Sequence, residues 1–138
     1  MRCLNLAKHL KKSTNNISFI CRNHVGNLNE LIINSGIEVL SLPINVNRNI
    51  NSSDSKNTDY SSLLGVSQKQ DALDTISVIG DSYSDIIIVD HYSLDICWEK
   101  ALRNYAKKIM VIDDLTNRKH DCDIVLNQNF FSQNSDLY

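Results

Sequence analysis

No Cys-x-x-Cys pair occurs among the four cysteines, Cys3, Cys21, Cys97 and Cys122. That excludes the compact zinc cages and thioredoxin-like motifs that need two thiols close together in sequence. Isolated thiols of this kind are expected to be reduced and buried. Long hydrophobic runs are missing as well. Nothing approaches the roughly 18 apolar residues of a membrane span, and Met1-Arg2-Cys3-Leu4-Asn5 does not have the layout of a signal peptide. The expectation is a cytoplasmic chain that makes no use of a membrane. Neither sign of charge is in excess: 14 Lys and Arg face 16 Asp and Glu, for a net charge of -2. Lys11-Lys12 and Lys107-Lys108 are isolated pairs rather than a basic stripe, so nucleic acid is not an expected partner.

What is present is 138 residues, 42% hydrophobic and 22% charged, enough for one globular core and too few for two ordinary domains. The most informative run is Ile86-Ile87-Ile88-Val89-Asp90-His91-Tyr92, an apolar β-branched stretch that empties into three polar side chains. Near-continuous apolar strands belong to parallel sheets covered on both faces. In open α/β sheets ligands bind beyond the carboxyl ends of the strands, which is where Asp90, His91 and Tyr92 fall. Ile109-Met110-Val111-Ile112 repeats the layout and runs into Asp113-Asp114. Strand ends also carry polar residues merely to satisfy loop backbone, so position alone does not assign a role.

Helical spacing links Cys3, Leu6, Ala7 and Leu10, then Leu28, Leu31 and Ile32 within 27–34, with Gly36 as a left-handed stop. Strands are expected over 17–21 and 38–42, the second closed by Pro43. From 44 to 62 the chain turns to Asn, Ser, Asp and Lys with few apolar residues, and a long mobile loop is expected there. Ala72, Leu73, Ile76 and Ile79 mark another helix ended by Gly80, followed by a strand over 86–89. Asp95 is the expected N-cap of a helix burying Trp98, Ala101, Leu102 and Tyr105. Strands over 109–112 and 124–126 complete an α/β alternation around a parallel sheet. Because the order opens on a helix where such units open on a strand, a first strand and its ligand-binding turn are expected before Met1. Without that central strand, 17–21 and 86–89 should be separated by a gap or should meet directly.

Six stretches carry a resemblance: Met1-Arg2-Cys3-Leu4-Asn5-Leu6-Ala7; Phe19-Ile20-Cys21-Arg22; Leu64-Gly65-Val66-Ser67 with Gln70-Asp71-Ala72; Val89-Asp90-His91-Tyr92; Val111-Ile112-Asp113-Asp114-Leu115; and His120-Asp121-Cys122-Asp123 with Leu126-Asn127-Gln128-Asn129. In this order they resemble the N-terminal half of the UDP-sugar hydrolases of pseudaminic acid biosynthesis. Those enzymes release UDP from UDP-2,4-diacetamido-2,4,6-trideoxy-β-L-altropyranose. The resemblance implies a Rossmann-like parallel sheet with flanking helices, as the N-terminal half of a two-domain, glycosyltransferase-B-like architecture. It implies no metal and no cofactor, and a UDP-linked diacetamido sugar as partner. The family opens on a strand and a Gly-x-Gly-His loop with the catalytic His. Met1-Arg2 looks like the end of a Gly-His-x-Met-Arg motif, which places that His two residues upstream. A C-terminal UDP-binding domain is likewise expected beyond Tyr138, and this chain alone should be inactive.

By the same resemblance Tyr92 is the foremost site residue, lying near the catalytic His and the substrate in the family. A packed phenol can hold a water or a glycosidic oxygen. His91 is the second catalytic candidate, against the commoner role of a hydrogen-bonded structural histidine. Arg2, Asp90, Asp113, Asp114, Asn127 and Asn129 are the substrate-binding candidates. Of the two aspartates, adjacent and therefore diverging as they leave a strand, one is expected to face the cleft and the other to cap the turn. Asn127 and Asn129, one residue apart, are expected to share a face and offer amides to sugar hydroxyls or N-acetyl groups. His120-Asp121-Cys122-Asp123 holds ligand-type residues without the spacing of a closed metal site. The rival readings are the acceptor half of a glycosyltransferase-B-fold glycosyltransferase and a non-catalytic sugar-binding remnant. A receiver-like phosphoacceptor based on Asp113-Asp114 has no other support in the chain.

Overall fold

A computed structural model describes residues 1–13, 16–44 and 61–129. The expected loop over 44–62 therefore lies almost wholly outside the described residues, except that Ser61–Leu64 at its end forms a short helix. The chain divides into two compact units, Met1–Val46 and Asn47–Tyr138, each α/β with its own parallel sheet.

In the first unit, α1 (Arg2–Leu10) precedes β1 (Ser18–Arg22), α2 (Asn29–Asn34) and β2 (Glu38–Leu42). β1 and β2 pair in parallel from Ser18↔Glu38 to Arg22↔Leu42. Leu4, Ala7, Ile32 and Ile37 form the core, with Phe19, Cys21 and Val39 packed against it. The inward faces are rotated from those expected. α1 buries Leu4 and Ala7 while Leu10 is exposed, and α2 buries Asn29 and Ile32 while Leu28 and Leu31 are exposed. The cause in α2 is local. Asn27 Oδ1 accepts the Asn29 N–H at 2.9 Å and starts the helix two residues late, and Asn29 Nδ2 donates to Asn23 Oδ1 at 3.2 Å, so the amide is tied down and turned inward. Gly36 ends this segment with φ +73°, as expected of a left-handed stop.

The second unit contains α3 (Ser61–Leu64), α4 (Gln68–Ile79), β3 (Ser84–Val89), α5 (Ile96–Leu102) with a 3-10 turn over Arg103–Tyr105, β4 (Ala106–Ile112) and β5 (Ile124–Leu126). Its sheet runs β3-β4-β5, all parallel. Ser67 caps α4 by accepting the Gln70 N–H, and Gly80 closes it with φ +60°. Asp95 caps α5 by accepting the Cys97 N–H at 2.8 Å. The two caps are joined: Gln68 Nε2 donates to Asp95 Oδ2, and the Asp95 N–H donates to Gln68 Oε1.

Leu64, Ala72, Val89, Leu94, Trp98, Leu102, Ile109 and Val111 form the core of this unit. Fully burying a leucine or isoleucine stabilises by roughly 1.5–3 kcal/mol, and Leu102 and Ile109 are completely enclosed. Period-two alternation puts Ile87, Val89, Ile109 and Val111 on the helix-covered face of the sheet. The opposite face is not fully covered, contrary to the expectation for an all-apolar strand: Ile86, Ile124 and Leu126 are exposed. Ala101 is exposed as well, and Glu99 is buried with Trp98 and Leu102 on α5. No helix among the described residues is long and apolar enough to cross a membrane.

Candidate functional site

Parallel register brings the carboxyl ends of three strands side by side: Val89 pairs with Val111, Val111 with Val125 and Ile112 with Leu126. The ladder continues one step, the Asp113 N–H donating to Leu126 O at 3.1 Å. The segments leaving these strands therefore converge. Tyr92 Oη donates toward Asp114 Oδ2 at 3.5 Å, the long limit of a hydrogen bond. Asn129 Nδ2 donates to Asp114 O at 3.1 Å, and its N–H to Asn127 Oδ1 at 2.8 Å. Tyr92 and Asp114 are half-buried, Asn129 exposed. The strand ends thus carry a rim of one phenol, one carboxylate and two carboxamides.

Behind the rim lies a buried ionic cluster. Asp113 and Glu99 are fully enclosed, and the His120 ring is nearly so. His120 Nδ1 is 2.6 Å from Glu99 Oε1 and Nε2 is 3.1 Å from Asp113 Oδ2. Arg118 Nη2 donates to Asp113 Oδ1 at 2.6 Å, the Leu115 N–H donates to the same oxygen, and the Asp121 N–H donates to Glu99 Oε2. Burial raises the Asp113 carboxyl, but hydrogen bonds from His120, Arg118 and the Leu115 N–H, with the Arg118 charge, outweigh it and hold the group below the ordinary carboxylate range. An ionised Asp113 can only accept, so His120 Nε2 is the N–H of that contact. Every oxygen of the two buried carboxylates thus faces a nitrogen at hydrogen-bond distance, the condition under which buried ionic groups are tolerated. Thr116, in the same loop, takes φ +54°, a left-handed conformation costly for a β-branched residue.

Tyr92, Asp114, Asn127 and Asn129 are thus brought together. Asp113 is the turn-capping member of its pair and sits behind the rim, where its oxygens are occupied. His91 accepts the Ser93 N–H at Nδ1 (3.0 Å), and its carbonyl accepts the Leu94 N–H, so it shapes the turn between β3 and α5. Its remaining ring nitrogen then carries the proton. Asp90 is exposed at the end of β3, and Arg2 lies half-buried in the first turn of α1, in the other unit. No group of three or more His, Cys, Asp and Glu poised to hold a metal occurs among the described residues. Both His120 nitrogens already face carboxylates.

Sequence reasoning missed Glu99 and Arg118 and left His120 without a role. The signal for Glu99 was its spacing: three residues after Ile96 and three before Leu102, it shares the helix face of a core leucine. A glutamate there needs a buried cationic or N–H partner, and Arg118 and His120 come closely after Asp113. Comparison with known protein families, with curated proteins and with solved structures gives no match.

Proposed function

We propose that this chain is the sugar-side half of a nucleotide-sugar hydrolase of glycosyltransferase-B-like architecture, acting on a UDP-linked diacetamido sugar. The observation that carries the reading is the meeting of Tyr92, Asp114, Asn127 and Asn129 at the ends of three parallel strands. Hydroxyl, carboxylate and carboxamide groups match the donors and acceptors of sugar hydroxyls and N-acetyl groups. The motif resemblance supplies the substrate class. In the reaction, water attacks the anomeric carbon, the bond from that carbon to the UDP oxygen breaks, and UDP leaves with the electron pair. The water's proton passes to a general base, a histidine in the family that the motifs resemble. Tyr92 contributes a phenol able to hold the attacking water or the glycosidic oxygen.

The use of His91 Nδ1 within its own turn favours a second reading, in which this chain binds sugar and performs no chemistry by itself. Adding the in-frame upstream sequence and the downstream UDP half, then measuring UDP and free sugar from the altrose-derived UDP-sugar, separates the two. Release of both supports the hydrolase. Sugar delivered to an acceptor other than water identifies a glycosyltransferase, and binding without release identifies a sugar-binding protein.

A further inference from the structure

Tyr92 lies in a turn between β3 and α5, outside any ladder, yet it carries the phenol hydroxyl of the rim. Its orientation has to come from elsewhere. Arg118 touches it twice: Nη1 donates to Tyr92 O, and the guanidinium carbon lies 5.9 Å from the centre of the phenol ring, within cation–π range. The other end of the fork, Nη2, is bound to Asp113. A single planar group therefore braces the backbone and ring of Tyr92 against the end of β4. Lysine, with one ammonium point charge, cannot make three contacts in that geometry.

Arg118 is itself held. Its side chain is only 14% exposed, and the loop that carries it is fastened on both sides by the buried cluster. Asp113 precedes it at the end of β4. His120 and the Asp121 N–H come after it and are bound to Glu99 on α5. Glu99, His120 and Asp113 form a continuous chain of contacts ending at the guanidinium. A loop that only needed closing would not require a nearly enclosed cation against an aromatic face.

We infer that Arg118 is the positioning residue of Tyr92, fixing the phenol from behind the rim, with the Glu99–His120–Asp113 chain fixing Arg118. This rests on the reading of Tyr92 as a substrate-contacting group. Arg118 makes no contact with the sugar in this scheme; it acts through Tyr92.

The test uses this chain with 13C-labelled tyrosine rings, the Tyr92 signal being assigned by its loss in Tyr92→Phe. Arg118→Lys keeps the charge, and the double variant Asp113→Asn/Arg118→Met removes both charges so that no buried carboxylate is stranded. Tyr92 ring resonances should shift and broaden in both, and should stay in place in Lys119→Met. Unmoved ring signals in both Arg118 variants would overturn the inference. In the longer protein, Arg118→Lys should lower kcat about ten- to a hundredfold, the scale of a misplaced reacting group, with little change in KM or in the pH profile. A fall in kcat with Tyr92→Phe and none with Arg118→Lys overturns the positioning role while leaving the function standing. No turnover by any form of the longer protein overturns the function, and the ring resonances still decide the positioning.

Discussion

Trp98 Nε1 donates to Asp71 Oδ1 across 2.9 Å, deep between α5 and α4. The single tryptophan of the chain is thereby both the largest apolar body in its core and half of a buried polar pair. Asp71→Ala strands the indole N–H without its acceptor, which costs about 1–3 kcal/mol. Urea unfolding followed by tryptophan emission should show a lower midpoint, with the native emission maximum little changed. An unaltered midpoint would show that the pair contributes nothing net.

Tyr92→Phe removes one hydroxyl and keeps the packed ring. In the longer protein it should reduce UDP release while the thermal midpoint stays within about 0.5 kcal/mol equivalent of wild type, the range of substitutions that touch no core feature. An unchanged rate constant would reduce Tyr92 to packing.

Acid stability should depend on Asp123. Hydrogen bonds from Lys108, the Ile109 N–H and Arg103 hold its carboxyl far below the ordinary value of 3.8. A carboxyl depressed in the folded state contributes stability that is fully present above the unfolded pKa and is lost as pH falls through the folded one. Asp123→Asn should therefore lower the midpoint at pH 6 and shrink the difference from wild type as pH drops below about 4, the unfolded carboxylate value. Equal losses at pH 6 and pH 2 would remove the charge from the explanation. Its effect on UDP release should be smaller than that of Tyr92→Phe.

Thiol reactivity should be uneven. None of the four cysteines is in a disulfide, and Cys97 is the exposed one. Burial pushes the Cys21 thiol up; burial and then the Glu99 charge push up Cys122. The thiolate is the reactive form, so one fast and several slow phases are expected with an aromatic disulfide reagent near neutral pH. Cys97→Ser should delete the fast phase alone.

Periodicity located the helices and strands well because apolar spacing is a local property. The strand over 38–42 and the Asp95 cap match the structure closely, and Gly36 and Gly80 stop their helices as backbone chemistry requires. It failed where polar partners outvoted the apolar count. Asn29 turned α2 by one position, and Glu99 entered a face on which Ala101 was expected. The gathering of Tyr92, Asp114, Asn127 and Asn129 was readable from strand ends, since parallel register alone makes them neighbours. The cluster behind them was not, because Glu99, Asp113, Arg118 and His120 come from α5, β4 and a loop, and only the three-dimensional path joins them.

β5 is three residues long and would fray if only its ladder held it. Asp123, just ahead of it, instead binds Lys108 and Arg103 as well as the Ile109 N–H, while the loop from Asp113 to Asp121 is fastened to Glu99. Arg103 also binds Asp121, so strand and loop share an anchor, and the stretch from Asp113 to Leu126 is expected to open as one cooperative unit. Amide hydrogens along it would exchange at a common free energy of opening, set by the buried ions rather than by the shortness of the strand.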